Sequence, residues 1–127
     1  MFEVRDGLFY TKDHEWVLVD GKRAKFGMAD YAQHEMGDLV YVELPEVGTH
    51  IALDEEIGAM ESVKSVEPIY APVSGTIVEI NGDLDNEPEI VNKDPYGNGW
   101  MAVIEMDDPS EIESLANSYK YRERLGE

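Results

Sequence analysis

Short apolar runs separated by turn residues set the rhythm of this chain, and the period of the apolar positions changes along it. The arm through Lys12 mixes Phe2, Val4, Leu8, Phe9 and Tyr10 with charges in no clear period and is expected to end in a short strand. Glu15-Trp16-Val17-Leu18-Val19 and Arg23-Ala24-Lys25-Phe26 then flank Asp20-Gly21, the dipeptide that marks a tight hairpin because it tolerates positive φ. Over 28–36 the period lengthens: Met28, Tyr31, Ala32 and Met36 fall on one helical stripe, and Gly37 suits the left-handed position just past a helix end. Leu39-Val40-Tyr41-Val42-Glu43-Leu44 is a strand stopped by Pro45, which has no N–H to give to a sheet.

A shorter strand around Ile51 lies between Gly48 and Asp54-Glu55-Glu56. Ile57-Gly58-Ala59-Met60 and the run from Ile69-Tyr70-Ala71 enclose a short turn, and Gly75-Thr76-Ile77-Val78-Glu79-Ile80 closes at Asn81-Gly82. Residues 81–99, dense in Asn, Asp, Pro and Gly, read as loop, and 100–106 as a last strand. Asp108-Pro109-Ser110 opens a helix with Ser110 as N-cap, Glu113 completing a capping box and Ile112, Leu115 and Ala116 as its apolar stripe. Strands at this density predict a sandwich or barrel, and the pattern Gly37-Asp38-Leu39-Val40-Tyr41-Val42 recurs at Gly75–Ile80.

At 127 residues and 43% hydrophobic, the chain is sized for a single domain with one modest core. No apolar run approaches the roughly eighteen residues of a membrane span, and Met1-Phe2-Glu3-Val4-Arg5-Asp6 turns polar at once, so a cytoplasmic protein is expected. The net charge of −18 argues against nucleic acid and anionic membranes, which require clustered Lys and Arg. It suits a carrier that visits partners, because long-range charge speeds encounter more than it tightens binding. With no cysteine, disulfides and protein-thiol chemistry are excluded, and any redox or thiol-transfer role must reside on an attached group.

Catalytic signatures are missing. His14-Glu15-Trp16-Val17-Leu18 has Leu18 where the zinc motif needs its second histidine, and His34 and His50 lack ligand spacing, so no metal is expected. There is no glycine-rich phosphate loop and no nucleophile paired with a base in sequence. A carrier is expected rather than an enzyme. Between Phe26 and Asn92 the only Lys or Arg is Lys64, among fifteen acidic residues, on the turn of Glu61-Ser62-Val63-Lys64-Ser65-Val66-Glu67. By composition alone it is a surface lysine beside Glu61 or Glu67, in a contact of about 0–1 kcal/mol.

Specific residues reverse that reading. Glu61-Ser62-Val63-Lys64-Ser65 followed by Ala71-Pro72-Val73-Ser74-Gly75 resembles the lipoyl-lysine hairpin of the glycine cleavage system H proteins. His14-Glu15-Trp16-Val17, Asp30-Tyr31-Ala32-Gln33 with Gly37-Asp38, Val42-Glu43-Leu44-Pro45 and Val91-Asn92-Lys93-Asp94-Pro95-Tyr96-Gly97 follow the same family pattern in order, over roughly residues 9–120. The resemblance implies a mainly β, lipoyl/biotinyl-type hybrid barrel-sandwich of two quasi-equivalent halves, with a short helix before the central strands and a helix at the C-terminus. One domain over 1–127 is expected: arm and hairpin in 1–27, helix and lipoyl-type core in 28–106, C-terminal helix and tail in 107–127.

It implies lipoate in amide linkage to Lys64, with Glu61, Ser62 and Val63 recognised by the lipoate-attaching enzyme. The arm would carry an aminomethyl group from a pyridoxal-phosphate glycine decarboxylase to a folate-dependent aminomethyltransferase and be reoxidised by lipoamide dehydrogenase. In the family the loaded arm folds into a cleft of its own carrier; Glu15 would receive the cationic amine there, and the protein would act as a monomer. One departure stands out: the family usually has Ser-Asp three and four residues after the lysine, whereas this chain has Glu67-Pro68, so Glu67 must substitute or the pocket differs. That leaves two further roles open on the same lysine: an H-like lipoate-binding protein serving heterodisulfide-reductase-like sulfur oxidation, and a relay of lipoyl groups to other enzymes. A biotin carrier is disfavoured, since Val63 and Ser65 flank Lys64 where those domains have methionines.

Overall fold

The computed structural model describes residues 1–127. The arm ends in β1 (Phe9–Tyr10), and the predicted hairpin forms as β2 (Glu15–Asp20) and β3 (Arg23–Met28). Its loop is Gly21-Lys22, one residue later than Asp20-Gly21, because Asp20 still pairs with Arg23 across the ladder. Gly21 takes φ +62°, which is why the turn falls on it. The helical stripe is α1 (Asp30–Met36), except that Met28 belongs to the end of β3. Gly37 caps α1 at φ +79° with its N–H on the Gln33 carbonyl.

The strands β4 (Leu39–Glu43), β5 (His50–Ile51), β6 (Glu56–Ser62), β7 (Val66–Tyr70) and β8 (Gly75–Ile80) follow. The stretch read as loop over 81–99 contains two single-turn helices, α2 (Asp83–Asn86) and α3 (Ile90–Lys93). Their residues are organised by side chains that reach far along the chain. Asn92 donates to the Gly37 carbonyl at 2.8 Å and accepts the Leu39 N–H at 2.9 Å, fastening α3 to the end of α1 and the start of β4.

After β9 (Ala102–Met106) the expected C-terminal helix is broken in two. Pro109–Ser114 forms a 3-10 helix capped by Asp108, not Ser110: the Asp108 carboxylate accepts the Ser110 N–H at 3.0 Å. Ala116–Asn117 then forms β10 and pairs with β1, which takes Ala116 out of the expected helical stripe. The true helix is α4 (Ser118–Leu125), capped by the Asn117 side chain.

Every strand pairing is antiparallel. A long sheet runs β10-β1-β2-β3-β9-β8-β5 and a short one β4-β6-β7, so the two copies of the repeated pattern, β4 and β8, lie in different sheets. One core joins Val17, Phe26, Ile77 and Ile104 of the long sheet to Val42, Met60 and Ile69 of the short one. Neighbouring Trp16 and Val17 point to opposite faces of β2, yet both are buried. Trp16 belongs to a second core with Tyr10, Tyr96 and Tyr121, beneath which the chain's N- and C-terminal segments meet. This is the mainly β, two-sheet architecture expected.

Candidate functional site

The Lys64 turn is built by one hydroxyl. β6 and β7 extend to Ser62 and from Val66, leaving Val63-Lys64-Ser65 as the tip. Buried Ser62 accepts the Lys64 N–H at 3.2 Å and the Ser65 N–H at 3.1 Å, and its own N–H donates to the Ser65 carbonyl at 2.8 Å. From outside the hairpin, the Asp38 carbonyl accepts the Val63 N–H at 3.2 Å, which ties the tip to the segment between α1 and β4. The backbone of the turn is therefore fixed while its side chains project. Lys64 is exposed and its amine makes no hydrogen bond or ion pair. Its stem crosses the face of Gly37, where a β-carbon would stand 3.1 Å from the lysine Cε.

The hairpin has two unlike faces. Glu61 stands in one cross-strand row with Tyr41 and Val66, so these three share a face. Val63 is 74% exposed at the tip. Glu67 is opposite Met60, and it turns instead towards a cleft of about 490 Å³ beside the hairpin. Ser65 and Pro68 line the same cleft. Pro68 needs no ladder partner for its missing N–H on one side, because β7 is an edge strand.

Glu15 forms the buried wall of that cleft, 1% exposed on β2. Its Oε1 accepts from the Thr11 hydroxyl at 3.2 Å, but Oε2 has no hydrogen-bond partner. Burial, then the nearby Asp13 carboxylate, push the Glu15 carboxyl well above the ordinary glutamate range; the Thr11 hydroxyl and the Tyr70 backbone oppose this only partly. A buried carboxyl with one unpartnered oxygen facing a cleft is suited to a cation, whose arrival would satisfy Oε2 and favour the charged form.

The structure thus brings Glu15 and Glu67 to one cleft at the foot of the Lys64 turn, and sets Glu61 and Val63 on surfaces away from it. Sequence reasoning missed the rest of the lining. Asp13 and Glu35 add carboxylates at the rim, and Met28, Met36 and Met60 give a thioether floor from three different elements. His14, Tyr31 and Ala32, which also line it, stand in the motifs quoted for the family, and Met28 and Met36 on the apolar stripe over 28–36, whereas nothing local marked Asp13 or Glu35. His14 also lines the cleft; burial and Arg124 lower its pKa, and its Nδ1 meets the Tyr121 hydroxyl at 2.9 Å. The histidines stand apart, His34 near Asp30 and His50 near Asp107, and no cluster of three metal-ligating groups forms. No helix is long and apolar enough to cross a membrane.

The free amine on a rigid turn fits amide attachment of a carboxylic acid, and the adjoining cleft fits a long arm with an amine at its end. Residues 8–127 match the family profile described as glycine cleavage H-protein. The glycine cleavage system H protein of Bacillus subtilis (strain 168) is 52% identical over 94% of each chain. Glycine cleavage system H protein 4 of Aquifex aeolicus (strain VF5) is 52% identical over 98% of this chain and 72% of its own length. The crystal structure of a glycine cleavage system H protein from Mycobacterium marinum superposes with a TM-score of 0.90 at 33% identity, over 98% of this chain and all of the other.

Proposed function

The chain belongs to the glycine cleavage H-protein family, and on that premise we propose that it is the shuttle of the glycine cleavage system, with lipoate in amide linkage on Lys64. The observation that carries this reading is the junction of an unpaired, exposed ε-amine with a cleft into which the buried Glu15 presents one oxygen, Oε2, that has no hydrogen-bond partner. A lipoate-attaching enzyme needs an unhindered amine on a turn of constant shape. Ser62 supplies the constant shape from inside, and Glu61 and Val63 offer a charge and an apolar side chain beside the amine for recognition.

Attached there, the dithiolane would supply the thiol and disulfide chemistry that a cysteine-free chain lacks. The chain's own work is to hold and shelter. Glu15 offers Oε2 to a cationic amine, and a cation at hydrogen-bond distance favours the carboxylate against the burial that favours the protonated form. Glu67, on the more open side, adds a second negative charge in the role for which the family usually has an aspartate. Met28, Met36 and Met60 present polarizable, apolar surface to whatever lies on the cleft floor, which keeps water from it.

The partners that family membership implies are a pyridoxal-phosphate glycine decarboxylase, a folate-dependent aminomethyltransferase, lipoamide dehydrogenase and the lipoate-attaching enzyme. The protein itself performs no catalytic step in this scheme, and its place among soluble partners is the cytoplasm. The test is glycine-dependent exchange of bicarbonate by the cognate decarboxylase with fully lipoylated protein. Exchange that requires the lipoylated form supports the reading; no exchange with complete lipoylation would overturn it.

A further inference from the structure

One wall of the cleft is aromatic, and it is held from outside the cleft. His14 and Tyr31 both line the cavity, with ring centroids 4.5 Å apart. His14 sits at φ +64°, a backbone conformation that residues other than glycine rarely hold. It is kept there by the Tyr121 hydroxyl on Nδ1 and by its own carbonyl, which accepts the Ala29 N–H at 2.9 Å. Tyr31 has no hydrogen-bond partner to fix its ring. It is instead met edge-on by Phe2, with centroids 5.0 Å apart and planes at 81°.

Phe2 does not reach the cleft. It fills the slot between Tyr31 and His34, which stand three apart on one face of α1, and its ring is 5.3 Å from that of His34. The arm carrying it is fastened almost residue by residue. The Glu3 N–H donates to Asp30 at 2.8 Å, the Tyr96 hydroxyl donates to the Glu3 carbonyl at 2.7 Å, and Arg122 donates to the Val4 carbonyl at 2.8 Å. The Arg5 N–H ends on the Tyr10 hydroxyl at 2.8 Å. Such density of contacts on an exposed arm goes beyond what sheet pairing needs, since β1 begins only at Phe9.

We propose that Phe2 is a positioning residue for the cleft: by holding Tyr31, and through it the His14 side of the wall, it keeps the loaded arm sheltered from water. The inference rests on the reading of the cleft as the arm's pocket. Without the Phe2 ring, Tyr31 gains rotamer freedom, the wall opens intermittently, and water reaches the cargo. Glu15 begins β2 and is held in the ladder opposite Met28, so the amine contact there stays in place.

The test uses lipoylated full-length protein carrying Phe2→Ala, Phe2→Tyr or Glu15→Gln. Two quantities are read: amide hydrogen exchange across α1 in the unloaded protein, and the rate at which the loaded arm loses its cargo to water. Loss of one aromatic contact predicts that Phe2→Ala speeds both by roughly two- to tenfold. Phe2→Tyr, which keeps the ring, returns both to the wild-type rates, while Glu15→Gln speeds cargo loss and leaves α1 exchange alone. Faster exchange with unchanged cargo loss in Phe2→Ala, while Glu15→Gln does accelerate the loss, makes Phe2 a structural anchor and overturns the proposal. If Glu15→Gln also leaves cargo loss unchanged, the cleft does not hold the cargo and both readings fall.

Discussion

The hydroxyl of Ser62 accepts the backbone N–H of Lys64 at 3.2 Å, so the residue that presents the amine is held by the side chain two positions before it. Replacing Ser62 with Ala leaves the N–H groups of Lys64 and Ser65 without that acceptor, at a cost of about 1 kcal/mol. The larger effect is on attachment. Ser62→Ala should slow lipoate transfer to Lys64 severalfold in an assay with purified attaching enzyme, while Ser62→Thr, which keeps the hydroxyl, stays near wild type.

Gly37 sits at φ +79° with the Lys64 stem against it. A β-carbon there meets Lys64 Cε at 3.1 Å and puts an L-residue at φ +79°, ψ −163°, an extended region that essentially only glycine holds rather than the left-handed one expected, which costs roughly 1–3 kcal/mol. Gly37→Ala should therefore lower stability by that amount in denaturant melts. Because the flexible lysine stem is what must move, attachment at Lys64 should survive at a reduced rate.

The raised pKa of Glu15 makes stability fall with pH. A carboxyl that holds its proton more tightly when folded contributes stability that is complete below the unfolded value of about 4.5 and is lost as pH rises through the folded value. Glu15→Gln keeps the shape and removes the titration. Its stability relative to wild type should rise with pH from about 4.5 upward, by at most about 1.4 kcal/mol per pH unit, and level off above the folded value. Thermal melts across pH check this; a difference that does not change with pH contradicts it.

Glu15 and Glu67 should differ in their sensitivity to salt. Glu67 is exposed at the cleft's rim, where its field is screened within about 8 Å at physiological ionic strength, whereas Glu15 is dry. Glu67→Gln should shorten the lifetime of the loaded arm at low salt and lose most of that effect at about 1 M salt. Glu15→Gln should shorten it more, and at both.

Much of this was legible in the chain, and the failures have a common physical cause. The β2–β3 hairpin, α1 and the Lys64 turn are written in local periods and turn residues, and the ordered motifs around Lys64 carried the family. What local signals could not supply was information held by distant partners. Asp20-Gly21 announced a turn but not its register, which the β2–β3 ladder sets. The two turns of helix in 81–99 depend on contacts such as Asn92 with Gly37, and the C-terminal helix breaks because Ala116 finds an edge at β1. The cleft was the least legible part. Met28, Met36 and Met60 come from a strand, a helix and another strand, and no spacing along the chain brings them to one floor.

If Lys64 is the attachment point, the intact mass of the protein after incubation with lipoate, ATP and the attaching enzyme, followed by peptide mapping, will show it. One lipoyl increment is expected, on Lys64 alone, and none in Lys64→Arg, whose stability should stay within about 0.5 kcal/mol of wild type because the side chain is exposed and unpaired. An unmodified mass under these conditions, or an increment on any other lysine, would contradict it.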